Sequence, residues 1–350
     1  MILTSIAAAA ILQQADATQA QAAAVAKPAV EIKLAKDIQY YRPLAMVAAS
    51  SGAQVAMTLD DNSIRIMDAG THATLKTFTG HPQQPKAIAW SNDGAWIASG
   101  DESARIFLWD ARTGAKLRQF TGHTKGIQNL SFNLPRTMLI STSNDDSIRE
   151  WDPLTGKCLV TILGKGSNLY SGTFSPVTNS IACGTLGSGT RIYDQFGNPK
   201  NFLTNVDVTH VNDVAFNLTG TMLAVAGRSG SARIWDLKKG TAIGSVKGHG
   251  DWVMHARFSP NGRYVATSST DRSIHIYDTK TLQKVADFQD VSSVGAPLAW
   301  TADGKWLLAT AADDHLQIYS VTPPQAGLPA PVKKPVPAKK SKKHSKKRKK

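Results

Sequence analysis

Residues 122–152 read GHTKGIQNLSFNLPRTMLISTSNDDSIREWD, and this stretch decides the fold. Ile127, Leu130 and Phe132 mark a short apolar strand. Asn133-Leu-Pro-Arg136 supplies a turn, as proline and asparagine do where a chain must reverse. Residues 138–142 form a second apolar strand and Asn144-Asp145-Asp146 a second turn. Residues 147–151 alternate as a third strand. Asp152-Pro-Leu-Thr-Gly156 turns again, and 157–163 read as a fourth strand. The unit is therefore an antiparallel four-stranded meander.

The same unit recurs every 42 residues, seven times. Its end is marked by Met67-Asp68, Trp109-Asp110, Trp151-Asp152, Tyr193-Asp194, Trp235-Asp236, Tyr277-Asp278 and Tyr319-Ser320. A second series keeps the same step: Trp90, Phe132, Phe174, Phe216, Phe258 and Trp300, with Ala48 in the first slot. The array takes up residues 29–321, and no insertion separates its members. A period of this size signals a stacked or circular array. One such sheet cannot bury both faces alone. Arranged radially, each packs on two neighbours and leaves short, protected edges.

These residues resemble the WD40 family. The marks are the Trp-Asp pairs, the pairs Gly80-His81, Gly122-His123 and Gly248-His249, and the period itself. The resemblance implies an all-β fold, a seven-bladed β-propeller of four-stranded antiparallel blades. It also implies a buried polar network of His, Ser/Thr, Asp and Trp in each blade. Repeat 3 has all four members: His123, Ser141, Asp145 and Trp151. Repeat 6 has His249, Thr267 and Asp271, with Tyr277 in place of Trp. Repeat 2 keeps His81, Ser99 and Trp109 but has Ser103 where the acid is expected. Repeat 5 keeps Trp235 and has Ser229 at that position. Repeat 4 has Gly187 and Tyr193 and no Gly-His pair. A His beside an Asp and a Ser invites a catalytic-triad reading. Recurrence in register across blades argues instead for a structural device, because satisfied polar networks rigidify a sheet.

The seventh repeat stops after its third strand. Residues 31–35 alternate ahead of the first repeat and are expected to supply the missing strand, closing the ring and removing an exposed edge. Their apolar positions do not fall on the 42-residue step, so their register stays open.

The resemblance further implies three partner-contact positions per blade on one face. They lie six and four residues before the first-strand aromatic marker, and one before the network acid. Carried onto repeats 4 to 6, these give Asn168, His210 and Trp252; Tyr170, Asn212 and Met254; and Arg228. Aromatic and arginine side chains are the types enriched at interface hot spots. The alternative is an ordinary mixed surface, with Trp252 packed against a neighbouring loop.

The ends differ from the array in composition. The net charge is +14, yet residues 333–350 hold ten lysines and Arg348 without an acid, leaving the remainder near neutral. That run includes Lys339, Lys340, Lys342, Lys343, Lys346, Lys347, Arg348, Lys349 and Lys350. With six prolines in 322–350, this end reads as a disordered basic tail. It suits nucleic acid or an anionic surface as a partner, or serves as a solubilising tail with none. Residues 2–12 form an apolar run too short to span a bilayer. With Ala15-Asp16-Ala17 behind it, 1–17 reads as a signal peptide and 18–28 as a leader. This implies an extracytoplasmic protein, periplasmic or secreted. No Lys or Arg precedes the run, so a cytoplasmic or nuclear chain with an Ala/Gln-rich leader is the alternative.

Cys158 and Cys183 lie in different repeats and read as small buried residues. No phosphate-binding loop, His-Glu-x-x-His or cysteine pair is present, and no cofactor or metal is expected. The reading is a non-enzymatic interaction scaffold that docks a protein or peptide on one face, with the tail as a second attachment point. A polyanion-binding protein driven by the tail is the alternative. A propeller enzyme would need acids or histidines clustered in the central channel.

Overall fold

The computed structural model describes residues 31–39, 42–134, 137–166, 169–187, 189–205, 207–292 and 295–322. Their strands form seven four-stranded antiparallel sheets. Blade 3 shows the pattern. Strands Ile127–Phe132, Leu139–Ser143, Ser147–Trp151 and Cys158–Leu163 follow one another from the centre outward. Blades 1 to 6 share this order.

Blade 7 is the exception. It takes Leu298–Trp300, Trp306–Thr310 and Leu316–Thr322 from the end of the array, and Glu31–Ile38 as its outer strand. The expected closure is therefore present, and the added strand runs three residues further than 31–35. It pairs Glu31 with Thr322 and Ile38 with Leu316, with a bulge between Leu34 and Lys36. The bulge inserts one residue and flips the alternation midway. The outer strands of blades 1 to 6 bulge at the same place, opposite the marker residue, so the closing strand copies their pairing even though it comes from the other end of the array.

The core lies between blades rather than within them. Ala98, Ile106, Leu108 and Phe120 of blade 2 pack on Ile127, Leu130, Leu139 and Trp151 of blade 3. Equivalent clusters form at the other boundaries, including blade 7 against blade 1. Each aliphatic side chain fully buried in such a seam contributes about 1.5–3 kcal/mol. Closure matters because it completes the last seam.

The glycine of the Gly-His pair has a backbone cause. Gly122 sits at φ +150°, a conformation that other residues rarely adopt. A Cβ there would also lie 2.7 Å from the Arg149 guanidinium.

Of the two free cysteines, Cys183 is fully buried, and burial pushes its thiol pKa up. Cys158 is only half-buried, a correction to its reading as a core residue. It begins the outer strand of blade 3, where one face meets solvent. Among the described residues, no helix is long and apolar enough to cross a membrane. Residues 1–30 and 323–350, with the leader and the tail lysines, lie outside the described residues.

Candidate interaction surface

The polar networks set the blade edges from which the surface loops spring. In blade 3, His123 Nδ1 lies 2.8 Å from Asp145 and Nε2 lies 2.7 Å from Ser141 Oγ. Trp151 Nε1 donates to the same hydroxyl at 2.8 Å. Burial lowers the pKa of His123 despite Asp145, so the ring is neutral. Nδ1–H then donates to Asp145, and Ser141 O–H donates to Nε2. Burial opposes charge on Asp145, but hydrogen bonds from Ser147, the Thr124 N–H and His123 outweigh it and hold its pKa below the ordinary value. Ser141 is fully buried and its oxygen is committed to Trp151. A nucleophile needs an open approach, so this set has the composition of a triad without the access.

Blade 6 repeats the device. His249 meets Thr267 at 2.8 Å and Asp271 at 3.1 Å. His275 stacks on His249 with ring centroids 3.9 Å apart, and its Nδ1 lies 2.9 Å from the Tyr277 hydroxyl. Tyr277 in turn donates to the Lys247 carbonyl. Tyrosine thus joins the network through His275 instead of through the threonine.

Two blades depart from the sequence reading. In blade 2 the acid is not missing: Asp101, two residues before Ser103, lies 3.1 Å from His81 Nδ1 and accepts the N–H groups of Ser103 and Arg105. Blade 5 builds a different network. Asp207 occupies the histidine slot and pairs with Arg233, Ser229 and Ser231 donate to the Asp207 carbonyl, and Trp235 Nε1 donates to Asn205.

The contact positions owe their direction to a repeated irregularity. In blades 1 to 6 the first strand pair slips at one place, opposite no partner: Leu44, Lys86, Gln128, Tyr170, Asn212 and Met254. A bulge re-aims the side chain it carries. All six line the mouth of a cavity of about 330 Å³ at the centre of the ring.

Of the seven candidate residues, Tyr170, Asn212 and Met254 share this mouth. Asn212 is only 7% exposed, and its amide donates to the Val253 carbonyl at 3.0 Å and contacts Met254 Sδ at 3.4 Å. It positions Met254 rather than offering itself to a partner. Trp252 is 41% exposed and the Arg228 guanidinium lies over its ring at 4.2 Å. Trp252 thus meets a neighbouring loop through the Arg228 stack and keeps an open ring. His210 is exposed on the adjoining segment at φ +48°. Asn168 lies outside the described residues.

Sequence reasoning missed a polar seam below the mouth. Asn129 donates to Ser171 at 3.2 Å and Ser171 donates to Asp213 at 3.1 Å. Asp213 pairs with Arg257, and His255 lies 3.5 Å away. Burial opposes the charge on Asp213, but Arg257, His255 and the Ala256 N–H overcome it and lower its pKa. Asn129, Ser171, Asp213 and His255 are 42 residues apart, so reading that column down the repeat finds them. The seam holds one acid and one histidine, neutralised by an arginine. Among the described residues, no group of three His, Cys, Asp or Glu is placed to hold a metal. The opposite mouth is lined by Trp90, Phe132, Phe174, Phe258 and Trp300, which explains the aromatic series.

The WD domain, G-beta repeat family matches residues 73–110, 114–152, 202–236 and 240–278. These stretches end on the markers of blades 2, 3, 5 and 6, the four whose polar sets are described above. Cross-pathway control WD-repeat protein 2 of Flammulina velutipes is 31% identical over 32% of this chain and 38% of its own length. Small ribosomal subunit protein RACK1 of Caenorhabditis elegans is 29% identical over 32% of this chain and 37% of its own. The Schizosaccharomyces pombe RACK1 is 30% identical over 32% and 38%. The chain thus spans under two fifths of the length of these relatives. Repeat matches, marker spacing and a closed ring of seven four-stranded blades agree: the chain belongs to the WD40 repeat family of seven-bladed β-propellers.

Proposed function

We propose that this propeller is a non-enzymatic scaffold that docks a protein or peptide on the face carrying Trp252, Arg228, Tyr170, His210 and Met254. One observation carries the reading. An exposed tryptophan stacked by an arginine stands beside a central mouth into which six blades each aim one bulged side chain. Rings and guanidinium groups on a rigid frame bury area at small entropic cost, which is what interface anchors require. Family membership and the inaccessible Ser141 both favour binding over chemistry.

The test is affinity purification from the native source with the parent chain, Trp252→Ala and Tyr170→Ala. A partner retained by the parent and lost from both folded variants supports the reading. A partner held equally by all three overturns it.

The basic run at 333–350 supports a second attachment point. Eleven positive charges without an acid favour phosphate-bearing polymers or anionic membranes through counterion release. A chain ending at residue 332 should lose heparin affinity while the ring still folds; affinity that persists places the charge effect elsewhere. The apolar run at 2–12 supports export, which N-terminal sequencing of the native protein tests: a mature chain starting near Thr18 agrees, and an intact Met1 refutes it.

A further inference from the structure

Charge pairing on the docking face is uneven. Arg42 meets Asp314 at 3.7 Å, Lys86 pairs with Glu102, and Arg257 is held by Asp213. These cations around the mouth each have a carboxylate. Arg228 makes no ion pair among the described residues, and its Nε is buried without a hydrogen-bond partner. The nearby Asp251 carboxylate accepts the Trp252 N–H at 2.8 Å.

Arg228 is held in place nonetheless. Its backbone N–H donates to the Thr209 carbonyl at 2.7 Å, and the Trp252 ring supports its guanidinium. The Trp252 carbonyl accepts the Thr270 N–H at 3.0 Å, fixing the other side of the stack. A guanidinium keeps its charge under all ordinary conditions and presents its donors as a planar fork. Stacking on an indole covers the face of the guanidinium and leaves its terminal Nη donors, in the plane of the fork, to meet a carboxylate end-on. Met254, two residues after Trp252, supplies an adaptable apolar surface at the mouth.

We propose that the segment docked here is acidic: an Asp or Glu side chain received by Arg228, followed or preceded by an apolar side chain seated against Trp252 and Met254. This rests on the docking reading above and adds the chemistry of the partner. The carboxylate supplies the counter-charge that the chain itself does not, and the two-oxygen geometry matches the fork.

The test uses the full chain and a displayed library of random linear peptides. Enriched peptides are resynthesised with each Asp or Glu, and with Asn or Gln in its place, and titrated by fluorescence anisotropy. The expected result is enrichment of an acid beside an aromatic or aliphatic residue. Amide replacement should weaken binding about tenfold or more, as for a lost charge-assisted pair. Arg228→Gln should cause a similar loss, and the amide peptide should lose little more on that variant, since one interaction cannot be removed twice. Enriched peptides without an acid, or amide forms that bind the parent chain equally, overturn the acidic partner while leaving peptide docking intact. Peptides that bind Trp252→Ala and Met254→Ala as tightly as the parent overturn both readings, as does a library that yields no binder.

Discussion

Blades 3 and 4 are neighbours with the same strands and opposite interiors. Blade 3 joins His123, Ser141, Asp145, Ser147 and Trp151 in one satisfied network. At the same five positions blade 4 has Lys165, Cys183, Gly187, Gly189 and Tyr193, and the Tyr193 hydroxyl meets Arg191 instead of any residue in those slots. The seam between them adds a second contrast. Glu150 stands where the other six blades place Ile66, Leu108, Ile192, Ile234, Ile276 and Ile318. It is 1% exposed, and one carboxylate oxygen has no hydrogen bond. Both blades nevertheless form complete sheets. Polar networks therefore refine a blade, while shared apolar seams and ring closure make it.

The largest expected effect treats the two blades alike. Deleting residues 1–40 removes the strand Glu31–Ile38 and opens the ring. Cooperative thermal unfolding should be lost or shifted by many degrees, whereas deleting 1–22 should leave the melting curve unchanged. A ring as stable without 1–40 as with it would remove closure from the account.

The next effect separates the blades by pH. Burial, with a smaller push from Asp194, raises the Glu150 pKa to about 7. The unfolded chain ionises near pH 4, so folding is penalised increasingly as pH rises from about 4 to about 7, then by a constant amount. Glu150→Gln should stabilise by about 2–3 kcal/mol at pH 8 and by little at pH 4. Glu150→Ile, which copies the other blades, should do at least as well. Asp145 works the other way. Its pKa is lowered, so its contribution is present above the ordinary carboxylate range and fades as pH falls through the folded-state pKa. Denaturant titrations across pH should show opposite slopes for the two sites; parallel slopes would mean that Glu150 is solvated.

A smaller loss tests the network itself. Asp145→Ala should cost about 1–3 kcal/mol, because buried donors lose their acceptor. Gly187→Asp in blade 4 should recover nothing, since Lys165 stands where a histidine would be needed. Partner binding by folded Asp145→Ala should match the parent. A fully stable variant that cannot bind would reverse the structural assignment.

The smallest stability effect is expected on the docking face. Trp252→Ala should move the melting temperature by no more than a degree or two, because its ring is open on one side. Tyr170→Ala should behave similarly. A loss as large as that of Asp145→Ala would make either one a packing residue.

Much of this was legible in the sequence, for a physical reason. Seams shared by identical blades force one spacing on the chain, so Trp109, Trp151 and Trp235 announce the ring. The network in blades 3 and 6 was equally plain. It was hidden in blade 2, where Asp101 approaches from the preceding strand, and in blade 5, where Asp207 takes the histidine slot and its cation Arg233 comes from the third strand. The contact positions were legible in place but not in exposure. A bulge fixes which side chain turns to the mouth, but neighbouring loops decide how far Asn212 is covered and Trp252 is not. Glu150 was readable in principle, as the one acid in a column of aliphatics.

The pairing of Glu31 with Thr322 has a mechanical consequence. The two residues lie side by side at the same end of one antiparallel ladder, which runs from there to Ile38 and Leu316. Opposed pulls applied at residues 31 and 322 would load one hydrogen-bonded pair at a time and peel the strand, instead of shearing all pairs together. The joint that closes the ring is thus arranged to yield from its end, one pair at a time, when pulled at residues 31 and 322.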